Sequence, residues 1–141
     1  MLKTDIPDVA TAFMCIFNSP PWNEEWTQEE SVYKITELYN LNNFLGLIVN
    51  NNYDEIIAFA LGHHEIFHKE RSYFLKEIGV STSEQSNGIG TAILTELHDE
   101  LSKIGISSVY LITDKGSIAE HFYYKNSYFQ SSRGIILKKH I

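Results

Sequence analysis

The sequence predicts an α/β fold in a single domain spanning residues 1–141. Apolar residues recur at helical spacing in four segments and gather into short β-type runs elsewhere, and the two kinds interleave in the order ααβββαβαββ. The length of 141 residues suits one domain. Hydrophobic residues at 43% and charged residues at 21% are globular proportions, which exclude a disordered, collagen-like or coiled-coil chain.

Each element has a local reason. Residues 7–17 place Val9, Ala10, Phe13, Met14, Ile16 and Phe17 on one helical stripe, and Pro20-Pro21 stops that helix. Thr27-Gln28-Glu29-Glu30 is a capping box. It starts a second helix reaching Tyr39, with Val32, Ile35, Leu38 and Tyr39 on one face. Strands are expected at 44–49, 55–62 and 73–80, the first two joined by the Asn50–Asp54 turn, as an antiparallel meander. Ile89, Ile93, Leu94, Leu97, Leu101 and Ile104 mark a third helix ending at Gly105. A strand at 108–113 follows, then a short helix at 117–125 with Ile118, Ala119 and Phe122 inward, and two closing strands at 128–131 and 134–138.

The net charge is −7, and it is unevenly placed. Residues 1–60 carry nine acidic residues against Lys3 and Lys34, whereas residues 61–141 balance nine against nine. An acidic chain without a basic face excludes a nucleic-acid partner and favours a cationic or small-molecule one. A single cysteine, Cys15, forms no intrachain disulfide, points to a reducing compartment, and reads as a buried inert thiol or a bystander. No unbroken apolar segment follows Lys3, Asp5 and Asp8, and no run reaches the ~18 apolar residues of a membrane span. The expectation is a cytoplasmic protein with no membrane partner.

Two segments compete for the chemistry. His64-Glu65-Ile66-Phe67-His68 matches H-E-x-x-H, which in zinc proteases sits on a helix with both histidines facing the metal. Here Gly62 and a charged turn (Lys69, Glu70, Arg71) flank it, and Arg71 stands where the extended motif needs glycine. It reads as a turn between strands, so no metal ligand is expected, and a zinc hydrolase is the remote alternative. The second segment runs from Val80 to Gly90: a strand end, a loop of small and polar residues, then a helix start. Free amides at a helix start attract phosphate, and Gly88 and Gly90 let a pyrophosphate approach the backbone. It is neither a dinucleotide fingerprint, because Ile93 holds the third glycine position, nor a P-loop, because no Gly-Lys-Ser/Thr follows.

Gln85-x-x-Gly88-x-Gly90 resembles the acyl-CoA loop of the GNAT N-acetyltransferases, and Ala119-x-x-Phe122-Tyr123 with Lys125 and Tyr128 resembles their second signature segment. The stretch from Phe17 to Trp26 is similar to a bacterial, aminoglycoside N-acetyltransferase-like subgroup. The resemblance covers nearly the whole chain. It implies the GNAT fold: a central mixed, mostly antiparallel sheet with a splayed strand pair, flanked by about four helices. Ser86 and Asn87 replace the basic or glycine residues common in the loop, Ser127 and Tyr128 replace Gly and Phe, and Gly116 stands where many members carry a CoA-contacting asparagine.

The resemblance further implies direct transfer of an acetyl group from acetyl-CoA, with no metal, to a primary amine. Tyr123 matches the tyrosine that protonates the departing thiolate, and its neighbour Tyr124 is set aside because the Phe-Tyr pair selects Tyr123. The backbone of Ile78, Gly79 and Val80 would bind the pantetheine arm, with Gln85, Ser86, Asn87, Gly88, Ile89, Gly90 and Thr91 around the pyrophosphate. Gly116 and Lys125 are further CoA candidates, and Lys115 another lysine within reach of its phosphates. Glu77, three residues before Val80, is a candidate base for the amine proton, directly or through water. Glu24, Glu25, Glu29, Glu30 and Glu37 with Trp22 and Trp26 suit a cationic acceptor such as an aminoglycoside or polyamine. Trp22, Glu25 and Trp26 are the acceptor-binding candidates. The closing strands would allow a homodimer. The competing readings are an acyl-CoA-sensing module without catalysis and a protein N-terminal acetyltransferase.

Overall fold

Helices α1 (Ile6–Phe17) and α2 (Gln28–Tyr39) open the chain in a computed structural model that describes residues 1–141. Both follow their stripes: α1 buries Ile6, Val9, Ala10, Phe13, Ile16 and Phe17, and α2 buries Ser31, Ile35 and Leu38. The capping box forms in both directions, with Glu30 N donating to Thr27 Oγ1 at 3.2 Å and Thr27 N to Glu30 Oε2 at 2.8 Å. Cys15 is exposed, so of its two expected readings only the bystander remains.

Strands β1 (Phe44–Asn50), β2 (Ile56–Phe67), β3 (Glu70–Val80) and β4 (Ser108–Tyr110) form one sheet in that order. β1–β2 and β2–β3 are antiparallel and β3–β4 is parallel. Phe59 and Leu61 of β2 join the α1 and α2 stripes in the core. The alternating Ala58, Ala60 and Gly62 turn to the other face, where small residues admit α3 (Ile89–Lys103), whose Ile93, Leu94, Leu97 and Leu101 are buried.

The chain divides into two compact units, Met1–Leu111 and Ile112–Ile141. The second contains α4 (Ile118–Lys125), capped by Ser117 Oγ, which accepts from Glu120 N at 3.1 Å. Its inward residue is Tyr123, not Ile118, which is 73% exposed. Residues 119, 122, 123 and 126 share one helical face, and 118 lies a step off it.

The two closing strands are a correction. Residues 128–131 and 134–138 form no strand. A short apolar run such as Ile135-Ile136-Leu137 becomes a strand only where a ladder partner takes up its backbone groups. Phe129, Ile135, Ile136 and Leu137 are exposed.

Candidate active site

The site begins with an irregularity in β3. Leu61 of β2 pairs with Glu77 and the next residue, Gly62, with Leu75, so Lys76 is an extra residue in the strand. Such a bulge bends its strand and increases its twist. The parallel ladder to β4 covers only Ser72–Phe74 and stops just before the bulge. Beyond it, β3 continues to Val80 with no β4 partner on that edge. This is the splay expected of the strand carrying Glu77, Ile78, Gly79 and Val80.

Gly79 faces α1, where Phe59 and Ile16 fill the space beside it. Glu77, two residues earlier, shares that face. Its carboxylate lies 2.8 Å from the ammonium of Lys34 on α2, the two side chains being 18% and 31% exposed respectively. Burial pushes the Glu77 carboxyl above its ordinary value, and the bond and charge of Lys34 pull against that rise. Sequence reasoning offered Glu77 as a base and missed this partner. Lys34 figured there only as a charge on a helix, and nothing local pairs it with a residue 43 positions away.

The loop after β3 turns back on itself, with Gln85 Nε2 donating to the Val80 carbonyl at 3.1 Å. Ser86 (φ 68°) and Gly88 (φ 77°) take the left-handed conformation. Gly88 is the N-cap of α3 and supplies no side-chain cap, and the first turn of α3 holds no acidic residue. Helices α1, α2 and α4 each carry one or two there. The first amides of α3, those of Ile89, Gly90 and Thr91, therefore meet an N-terminus whose dipole no carboxylate offsets.

On the α2 side, Asn23, Glu24, Glu25, Trp26, Glu29, Glu30, Tyr33, Lys34 and Glu37 line an open depression of about 960 Å³. Asn18 holds the loop that shapes it, donating to the Trp26 carbonyl at 2.9 Å and accepting from Trp26 N at 2.8 Å. Trp26 packs edge-on against Phe13, and its indole N–H donates to Glu24. Of the acceptor candidates, Glu25 and Trp26 line the depression. Trp22 does not, and packs edge-on against Phe17.

In the second unit, Tyr123 is buried, with ring centroids 5.4 Å from both Phe122 and Tyr128. Burial pushes the Tyr128 phenol up to about 12. Tyr124 is exposed and its hydroxyl donates to Glu120 Oε1 at 2.9 Å. Gly116 (φ 74°) donates its amide to the same carboxylate, which holds the Glu120 carboxyl below its ordinary value. Lys125 ends α4 and is exposed.

The family model for the "Acetyltransferase (GNAT) family" matches residues 10–128. The chain belongs to the GNAT acetyltransferase family. No curated protein matches it in sequence. Solved structures share its fold at low identity. A "possible acetyltransferase from Clostridium difficile 630" superposes with a TM-score of 0.81 at 12% identity, over 100% of this chain and 95% of that one. An aminoglycoside N-acetyltransferase, AAC(6')-Iy, solved with CoA, gives 0.77 at 14% identity, over 100% and 92%. An aminoglycoside 6'-N-acetyltransferase from Acinetobacter baumannii gives 0.76 at 13% identity, over 100% and 95%. No helix of this GNAT family member is long and apolar enough to cross a membrane.

The H-E-x-x-H match of this GNAT family member lies on β2, which runs to Phe67, with His68 in the following turn at φ 50°. The helical spacing that would turn His64 and His68 the same way is therefore missing. His64 Nδ1 instead lies 3.1 Å from Arg71 Nη1, and burial followed by the Arg71 charge pushes His64 below its ordinary value. Glu65 accepts from the Tyr110 hydroxyl. No group of three or more His, Cys, Asp or Glu is arranged to hold a metal ion.

Proposed function

We propose that this acetyltransferase moves an acetyl group from acetyl-CoA to a primary amine of a small cationic acceptor. The observation that carries the reading is the Lys34–Glu77 contact. It joins a half-buried carboxylate on the family's splayed strand to a depression lined by five glutamates and one lysine. A half-buried carboxylate with a raised pKa suits a general base near neutral pH. A surface so rich in carboxylates, with Trp26 and Tyr33 on it, favours a cation.

The chain's residues fit acetyl-CoA. The open edge of Ile78, Gly79 and Val80 suits an extended amide-bearing arm that adds like a strand. The start of α3, from Ser86 and Asn87 through Gly88 to Ile89, Gly90 and Thr91, suits a pyrophosphate. Gln85 shapes that loop by holding the Val80 carbonyl. Gly116 and Lys125 join this set on the family resemblance. Acetyl-CoA supplies the acetyl group as an activated thioester.

The amine attacks only when neutral, and Glu77 takes its proton, directly or through water. The amide of Ile78 or Gly79 donates to the carbonyl oxygen as negative charge gathers there. The Tyr123 phenol returns a proton to the departing sulfur. A free phenol, with a pKa near ~10, is close enough to a thiol to share such a proton. Glu25 and Trp26, which line the depression, stand on the acceptor side.

The test is thiol release and acceptor mass with acetyl-CoA and a panel of polyamines, aminoglycosides, neutral amines and peptide N-termini. Acetylation of cationic small amines is the expected result. Binding of acetyl-CoA without transfer to any amine would leave a sensing module. Absence of acetyl-CoA binding in calorimetry would overturn the reading.

A further inference from the structure

Lys34 is the one basic residue lining the acidic depression, yet its ammonium is turned inward to Glu77 at 2.8 Å rather than being left among the five glutamates around it. The nitrogen of a protonated acceptor amine would need the same 2.8 Å separation from Glu77 to hand over its proton directly. We propose that Lys34 is a positioning and specificity residue: its ammonium holds the Glu77 carboxylate in its receiving place and yields that place to the acceptor's own ammonium. This rests on the acetyltransferase reading above.

The exchange is balanced in charge. One ammonium leaves a carboxylate as another arrives, so the half-buried Glu77 is never left unpaired, which is the costly state for a group in its position. Lys34 has a destination, because Glu37 lies three residues along α2 and lines the same depression. A neutral amine could not displace Lys34 on these terms, so the pair selects for cationic acceptors.

The charged groups acting on Glu77 are few. Lys34 reaches it from α2, Glu24 from the loop after α1, and Lys76 stands beside it on β3. Its partner across the ladder on β2 is Leu61, which carries no charge. Glu24 adds to the upward push of burial, while Lys34 opposes it more strongly than Lys76 does. Without Lys34, Glu77 would hold its proton to higher pH.

The test compares Lys34→Met, Lys34→Arg and the unchanged chain. In Lys34→Met, the acid limb of the kcat/KM profile should move to higher pH. Above that limb, KM for a diamine should fall by a factor on the order of a few, the scale of one partly exposed ion pair. Lys34→Arg should restore the limb. A Lys34 that merely holds α2 to the sheet would lower the unfolding midpoint in Lys34→Met and leave both the limb and KM in place, and that result overturns the proposal. Titration of the Glu77 carboxyl carbon by NMR needs no turnover: a rise in Lys34→Met supports the proposal and an unmoved titration overturns it. If no amine is acetylated but the carboxyl titration moves, the acetyltransferase reading fails while the control of Glu77 by Lys34 stands.

Discussion

The Phe59 ring fills the space where residue 79 would carry a side chain: a Cβ on Gly79 would stand 2.8 Å from Phe59 Cζ and 3.2 Å from Ile16 Cδ1. Both neighbours are buried in the core. Neither is the free end of a flexible surface chain, so the strand itself would have to shift. Gly79→Ala should therefore cost about 1–3 kcal/mol in chemical denaturation, the usual range for overpacking. It should also weaken acetyl-CoA binding in calorimetry, because the displaced segment is the open edge beside Ile78 and Val80. Unchanged stability would mean that β3 is softer here than its packing implies.

As the proposed base, Glu77 sets the expected pH dependence. A base must be ionised to accept a proton, so activity falls as pH drops through its pKa. Burial places that pKa above the ordinary carboxylate value despite Lys34. The acid limb of kcat/KM, which reports the free enzyme, should accordingly lie above the usual glutamate range. Glu77→Gln should remove the limb and lower turnover together. The sign for stability is opposite to that of a salt-bridge carboxylate with a lowered pKa. A raised folded pKa means the native state binds the proton more readily than the unfolded chain, so this group's contribution to stability grows as pH falls through the folded pKa and is lost as it rises.

The helices were legible because their causes are local. Thr27 and Glu30 announce a helix start within four residues, and both hydrogen bonds form as expected. The loop from Gln85 to Gly90 was legible for the same reason: the glycine positions and the helix start are properties of a short segment. The Lys76 bulge was not, because an extra residue appears only when β2 and β3 are laid side by side. The Lys34–Glu77 pair joins residues that no spacing rule connects. The failed strands at 128–131 and 134–138 show the reverse error, since short apolar runs were present and a partner strand was not. Trp22 shows a subtler one. An aromatic residue beside acidic ones looked like a cation site, but its ring packs against Phe17 and lies outside the depression that Trp26 lines.

Tyr123 and Tyr124 are adjacent, but their surroundings differ. Tyr124 is exposed with its hydroxyl bonded to Glu120, which pushes that phenol above its ordinary value and makes it a poorer proton donor. Tyr123 is buried on the inward face of α4. Removing the Tyr123 hydroxyl as Tyr123→Phe keeps the ring packing against Phe122 and Tyr128. Turnover should fall at least about tenfold, at or below the lower end of the range for losing a proton donor, with little change in acetyl-CoA affinity by calorimetry. Tyr124→Phe should change neither by more than a factor of about two, since an exposed hydrogen bond contributes little. Equal losses in the two variants would remove Tyr123 from the mechanism.

The one-sided charge of the chain makes a last prediction about the acceptor. All of the −7 resides in the first 60 residues, and five of its carboxylates line the depression on the α2 side. Those carboxylates are spread around an open surface, so their attraction for a cation is a field effect that salt screens over a Debye length of about 10 Å at 0.1 M. KM for a polyamine should rise steeply between low and high salt while KM for acetyl-CoA, an anion that those carboxylates do not attract, should not rise with it. Glu25→Gln and Glu29→Gln should raise the polyamine KM additively and flatten its salt dependence, leaving kcat little changed, because neither side chain carries a part in proton transfer. Glu30 is a poor choice for this experiment, because its carboxylate also caps α2 and its loss would confound binding with helix stability. A salt-independent KM for cationic acceptors would mean that the depression is only a solvated acidic face.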